Sequence, residues 1–257
     1  MKIPFINKFF FPVDSIPDTG EKPRSNRNTL GKYLAGISAC YLMLLAPAGL
    51  SGKSGPTDTP GSAWVEKKSE SGITTAYRWI TVENGDRFRQ RKVEMVIDAS
   101  LTAVVAAIKD DQSAKQWMKR VKSYYSFRKT DNFHWSTYME FALPWPMKNQ
   151  DLVVDNVLKQ DTVTGQIGIL VKGKDNLIPP RDHIDRIPGF KGSWNITPLE
   201  DGRVRIVYKL FSRQKPWLPL WLIDPIVESG LVDTFSDLRK QIHMKNDGNI
   251  SLNYINE

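Results

Sequence analysis

Residues 193–242 read SWNITPLEDGRVRIVYKLFSRQKPWLPLWLIDPIVESGLVDTFSDLRKQI, and the change of period within this stretch decides the fold. Ser193 to Thr197 and Val204 to Ser212 have strand character, and Asp201-Gly202 supplies the turn between them. The period then lengthens from two to 3.6. Asp224, with Pro225 suited to a first helical position, predicts the start of a helix. Its Ile226, Val227, Leu231, Phe235, Leu238 and Ile242 form one apolar face, and Glu228, Asp233, Asp237, Arg239 and Lys240 the opposite one. Gly230 lowers helix propensity by about 1 kcal/mol relative to Ala, and it marks either a close approach or a tolerated glycine. A hairpin that leads into a one-faced helix needs a sheet for that face to cover.

Working outward, strand patterns run from Tyr124 to Lys129, Phe133 to Phe141, Leu152 to Asp161 and Gln166 to Val171. Asp131-Asn132, Thr164-Gly165 and Lys174-Asp175-Asn176 mark the turns. Before them, Ser100 caps a predicted helix carrying Leu101, Val104, Val105 and Ile108, and a second helical stretch carries Trp117, Met118 and Val121. Strands are expected from Ala63 to Val65, Ile73 to Val82 and Arg87 to Ile97, with Asn84-Gly85 as a hairpin signal. The expected class is α+β: a curved antiparallel sheet wrapped around a long C-terminal helix, with two short helices between strands. Such an arrangement leaves a cavity between sheet and helix.

Several positions in the C-terminal half resemble the START family of StAR-related lipid transfer domains. The matching residues are Trp194, Pro198, Gly202, Tyr208, Pro219, Trp221 and Leu222, together with Trp145-Pro146 and Asn149-Gln150-Asp151 upstream. The resemblance covers residues 62–243 and implies the helix-grip fold with a pocket for a sterol, phospholipid or other lipid. Gln150 stands where the family pattern has Arg, which removes a hydrogen-bonding fork. Ser212 to Trp217 replaces an Asp-Pro-Gly-Gly type of turn.

A pocket of this kind works by burial, which stabilises an apolar ligand by roughly 25 cal/mol per Å² removed from water. The candidate lipid-binding residues are Trp194, Ile196, Val204, Ile206, Tyr208 and Leu210 on the last strands, and Ile167, Ile169 and Val171 on an earlier one. Leu222, Ile226, Leu231 and Phe235 are the candidates from the helix. Each also reads as ordinary core. Tyr208 or Arg205 is a candidate head-group anchor, although Arg205 shares the outward face with Arg203 and Lys209. Trp217, Leu218, Leu220 and Trp221 form a candidate lid or membrane contact, since tryptophan favours a membrane interface. The alternative is a helix-grip enzyme of cyclase or hydrolase type acting in the same cavity. Its acid–base candidates, Glu140, Asp155 and His134, show no motif, and no catalytic residue is assigned.

Of 257 residues, 40% are hydrophobic and 25% charged, which permits a single domain with a real core. The net charge of +8 is scattered among acids, and no basic stripe for nucleic acid is present. His134, His183 and His243 are far apart and Cys40 is the sole cysteine, so neither metal nor disulfide is expected. No cofactor is expected either, and the domain reads as a monomer.

Residues 1–48 read as an export signal. Arg24, Arg27 and Lys32 precede the uncharged run from Tyr33 to Ala48, and Ala46-Pro47-Ala48 supplies small residues for cleavage before Gly49. Two alternatives stay open: an uncleaved anchor over residues 33–50, or acylation of Cys40 in the box Ile37-Ser38-Ala39-Cys40. All three put the domain outside the cytoplasm. Residues 49–61, GLSGKSGPTDTPG, read as a flexible linker, residues 62–243 as the domain and residues 244–257 as a tail. Intact-mass analysis of the protein from its native cell should give a chain beginning at Gly49, and an unprocessed cytoplasmic chain would refute export.

Overall fold

The computed structural model describes residues 59–60, 62–143, 145, 147–215, 219–248 and 250–257. The expected export signal, Cys40 and most of the expected linker lie outside the described residues. The strands are β1 (Thr59–Pro60), β2 (Val65–Glu70), β3 (Ile73–Thr81), β4 (Arg87–Ile97), β5 (Val121–Phe127) and β6 (His134–Phe141). They continue with β7 (Asn149–Gln160), β8 (Ile167–Gly173), β9 (Ile184–Arg186), β10 (Lys191–Pro198) and β11 (Val204–Phe211). The helices are α1 (Leu101–Lys109), α2 (Ala114–Trp117) and α3 (Leu220–Asp247). One sheet takes the order β1-β3-β4-β11-β10-β8-β7-β6-β5, with β2 also on β3 and β9 also on β7.

All pairings are antiparallel except β7 with β9, where Asn149 to Asp151 run beside Ile184 to Arg186. This short strand is not anticipated by the sequence, because three residues after a Pro-Pro turn carry no alternation. It brings Arg186 to buried Asp151, with Nε donating to Oδ1 at 2.5 Å and Nη2 to Oδ2 at 3.1 Å. An arginine fork is thus present beside Gln150, supplied from elsewhere in the chain.

Cross-strand neighbours put alternate residues on one face. Ile169 pairs with Trp194, Trp194 with Tyr208, and Tyr208 with Val93. Register shifts at Glu66/Lys68 and Val121/Ser123 bend the outer strands, as bulges do. Val121 therefore opens a strand, and the second helical stretch ends at Trp117: only one turn forms before Arg120 adopts a left-handed backbone. Thr59 and Pro60, inside the expected linker of residues 49–61, pair with β3.

The 28 residues of α3 span about 42 Å at 1.5 Å per residue, a length comparable to the 11 residues of β4 at about 3.4 Å each. The helix packs on α1, α2 and strands β2 to β4. It begins at Leu220, one turn earlier than Asp224-Pro225 indicates. Pro225 sits inside it and is exposed, so the carbonyl of Trp221, deprived of its donor, lies on the solvent side. No helix among the described residues is long and apolar enough to cross a membrane.

Glu228 departs from the expected polar face. It is buried with Asp224 against Arg89 and Arg91 of β4, two cations on the concave face. Arg91 donates to Asp224 at 2.9 Å, Arg89 also pairs with Asp224, and Glu228 lies 3.9 Å from Arg91. Periodicity places Glu228 outside only if its neighbour is water, and here the neighbour is an arginine 137 positions away in sequence. The other end of α3 is fastened through residues beyond 243. The helix continues to Asp247, Leu252 and Tyr254 pack on the core, and Ile255 is buried. Ser100 Oγ accepts from the Ala103 amide at 3.1 Å, as its capping role requires. The Glu257 carboxylate accepts from the Leu101 and Thr102 amides at 2.8 and 2.9 Å, and Asn246 Oδ1 from the Ser100 amide at 3.0 Å. The amides that α1 cannot pair internally are therefore shared between its own cap Ser100 and Glu257, and negative charge lies at the positive end of that helix.

Removing one partner of a buried ion group leaves the other unpaired, so Asp224→Asn should cost about 3–5 kcal/mol in urea unfolding. Burial raises the Glu228 carboxyl above its ordinary value, against the pull of Arg91. A raised carboxyl favours the folded state at low pH, and that contribution is lost as pH rises from 4.5 through the folded value. Glu228→Gln should therefore gain stability relative to wild type as pH increases over this window.

Candidate functional site

Between α3 and the concave face lies a cavity of about 90 Å³. One enclosed water needs roughly 10–15 Å³, so the space is several times a packing defect. Strand β6 contributes Trp135, Thr137, Met139 and Phe141 at every second position, and β7 contributes Leu152, Val154 and Asn156. Trp117, Ile108 and Met118 close one side from the helical segment, and Ile187 and Phe190 another from the loop before β10.

Seven sequence-derived candidates line this space: Ile169, Val171, Trp194, Tyr208 and Leu210 on the sheet, and Leu231 and Phe235 on α3. Ile167, Ile196, Val204 and Ile206 point to the same side of the sheet but are buried core and do not line the cavity. Leu222 and Ile226 are half-buried and do not line it; the buried stripe of α3 runs instead through Ile223, Val227 and Leu231. Trp221 is 73% exposed and Leu220 half-buried at the start of α3. Trp217 and Leu218 lie outside the described residues.

An aromatic cluster joins the sheet to α3 at the cavity wall. Trp194 stacks on Tyr208 with centroids 4.1 Å apart and on Phe235 at 5.7 Å, while Trp117 meets Trp194 edge-on at 6.4 Å. Gly192 makes room for this group. A Cβ there would meet Tyr208 Oη at 3.2 Å and Phe190 and Val171 at 3.3 Å.

Among the described residues no Asp, Glu, Lys, Arg or His lines the cavity. The polar groups that do are neutral. Asn156 Nδ2 donates to Thr137 Oγ1 at 3.1 Å and to the Trp135 carbonyl at 3.2 Å. Tyr124 also bonds Thr137, and burial, reinforced by Asp111, pushes its phenol up so far that it stays protonated. The acid–base candidates stand elsewhere. Glu140 pairs with Arg181 at 2.6 Å and Lys122 at 3.0 Å; Asp155 accepts from Ser136 Oγ at 2.6 Å; His134 lies 3.0 Å from Asp131 on the surface. None of the three lines the cavity. Arg205 is likewise turned outward, 3.6 Å from Glu94. The described residues hold no cluster of three or more potential metal ligands.

The cavity residues of β5, β6 and β7 are not among the sequence-derived candidates. Alternation alone could have found Trp135, Met139, Leu152 and Val154, once these strands were placed in one sheet with β8. Trp117 could not be found that way, since it projects from a single isolated turn.

Gly192→Val should displace the Tyr208 ring. We expect a loss of about 1–3 kcal/mol from overpacking, with an altered tryptophan near-UV circular dichroism signal.

No protein-family model matches the chain. An uncharacterized protein of Pseudomonas aeruginosa is 21% identical over 206 residues, which are 80% of this chain and 97% of that one. The crystal structure of a fragment of a STAR-related lipid transfer protein from Xanthomonas axonopodis superposes with a TM-score of 0.62 at 26% identity, covering 71% of this chain and 99% of that one. Human StAR-related lipid transfer protein 5 gives 0.58 at 15% identity, covering 72% and 88%. Human STARD10 gives 0.57 at 17%, covering 70% and 73%. With the sheet order and the long helix packed on it, these likenesses identify the fold: the chain has the helix-grip fold of START domains.

Proposed function

We propose that this protein binds one lipid or other apolar molecule in the cavity beneath α3 and carries it between membranes, with no bond made or broken. The observation that carries this reading is the cavity itself, lined mostly by apolar and aromatic side chains with no ionisable carboxylate, amine or imidazole among its described lining residues. General acid–base chemistry needs a titratable pair at the reacting atoms, and Glu140, Asp155 and His134 are engaged elsewhere. The lipid transfer protein of Xanthomonas axonopodis, similar over most of the described chain, supports the same class of ligand.

The ligand contacts in this proposal are Trp194, Tyr208 and Leu210, Ile169 and Val171, and Leu231 and Phe235. Ile167, Ile196, Val204, Ile206, Leu222 and Ile226 support the wall from behind or at its rim. Entry of a molecule larger than the cavity requires α3 or its side chains to move. The segment that includes Trp217, Leu218, Leu220 and Trp221 serves as the lid that touches the bilayer, and exposed Trp221 fits an interfacial role. In this proposal the protein acts outside the cytoplasm, consistent with the basic flank, apolar run and Ala46-Pro47-Ala48.

Incubation with a natural lipid extract, repurification and mass spectrometry should identify a retained apolar molecule. Leu231→Trp fills the cavity from the helix side and should abolish retention with little change in melting temperature. Loss of about 1–3 kcal/mol with lipid still bound would show instead that Leu231 is plain core.

A further inference from the structure

Three residues that line the cavity each carry a buried polar atom with no hydrogen-bond partner: the indole Nε1 of Trp117, Ser212 Oγ and Thr234 Oγ1. Their residues are 2%, 2% and 3% exposed. A buried donor left unpaired is costly, and folded proteins leave few of them. Thr234 is informative because a helical threonine can turn its hydroxyl back to the carbonyl one turn earlier. Its hydroxyl does not do so here. The indole can only donate, whereas the two hydroxyls both donate and accept. Of the remaining polar side chains that line the cavity, Asn156 and Tyr124 already bond Thr137.

We infer that the cavity selects an uncharged apolar molecule bearing at least one hydrogen-bonding oxygen, held by Trp117, Ser212 and Thr234. This rests on the cavity's binding a ligand at all. An alcohol, ester or ketone oxygen satisfies these groups. A carboxylate or phosphate does not suit them, because no cation lines the described wall and burying an uncompensated charge costs far more than neutral hydrogen bonds return. A pure hydrocarbon leaves all three groups unpaired. Ordered water is the competing partner, and it confers no preference among ligands of one chain length.

The test uses decan-1-ol, decane and decanoate at pH 8, with binding to the full chain followed by tryptophan fluorescence, since Trp117 and Trp194 line the cavity. Decan-1-ol should bind at least tenfold more tightly than decane and than decanoate. The ratio of decan-1-ol to decane affinity should fall about tenfold in Thr234→Val, and likewise in Ser212→Ala and Trp117→Phe. Circular dichroism establishes that each variant is folded, and the three substitutions are independent, so one that fails to fold leaves two. Equal binding of decan-1-ol and decane would overturn the polar contact while leaving the apolar cavity reading intact. Decanoate binding as tightly as decan-1-ol would overturn the neutral-ligand assignment. If none of the three binds, the cavity reading itself fails, and this inference with it.

Discussion

The structure depends on one constraint: the concave face of a curved sheet and the apolar stripe of α3 must cover each other without closing completely. Hydrophobic burial alone would draw the two together until no space remained. Here the helix is held at two separated places. Near its start Asp224 and Glu228 meet Arg89 and Arg91 of β4. Near its end Asn246 and Glu257 reach the amides that open α1. Between these fastenings Leu231, Thr234 and Phe235 border the cavity while remaining buried, Phe235 stacked on Trp194.

The sheet separates charge from the cavity by strand alternation. Glu140 and Asp155 are on the face away from α3, where arginine and lysine meet them. Thr137, Met139 and Val154 are on the other. The exception is Arg91 with Arg89, the cations brought to the helix side, and two carboxylates from α3 meet them there. Both arginine Nε atoms and Glu228 Oε1 nevertheless lack hydrogen-bond partners. A buried cluster of this kind specifies where the helix docks more than it adds to net stability. The neutral wall follows from the same division: once the cations are consumed at one end of α3, the cavity offers a ligand only apolar surface and a few uncharged donors.

Much of the fold is legible locally. Asp201-Gly202 turns where expected, with Gly202 at a φ of 79° that a side chain would disfavour, and Asn84-Gly85 joins β3 to β4 with Gly85 at 85°. Ser100 caps α1 because its hydroxyl needs only an amide three residues on. The apolar face of α3 was readable for the same reason, since a period of 3.6 over twenty residues is a local property. What could not be read were features whose partner is distant. Glu228 looked like surface, the strand of Ile184–Arg186 looked like loop, and the residues after 243 looked like a tail although Ile255 is buried and Glu257 completes another helix.

The candidate site divides along the same line. The sequence by itself determined that the chain has a strand-rich body and a one-faced closing helix, and that residues such as Trp194, Tyr208, Leu231 and Phe235 are apolar on the side that must be covered. Only the tertiary structure decided which of these border open space and which are packed, setting Trp194 and Leu231 apart from Ile196 and Ile206. The reason is physical: burial is a property of a side chain's own chemistry, but a cavity is the absence of a neighbour, and absence depends on the curvature of eleven strands and the tilt of a helix acting together.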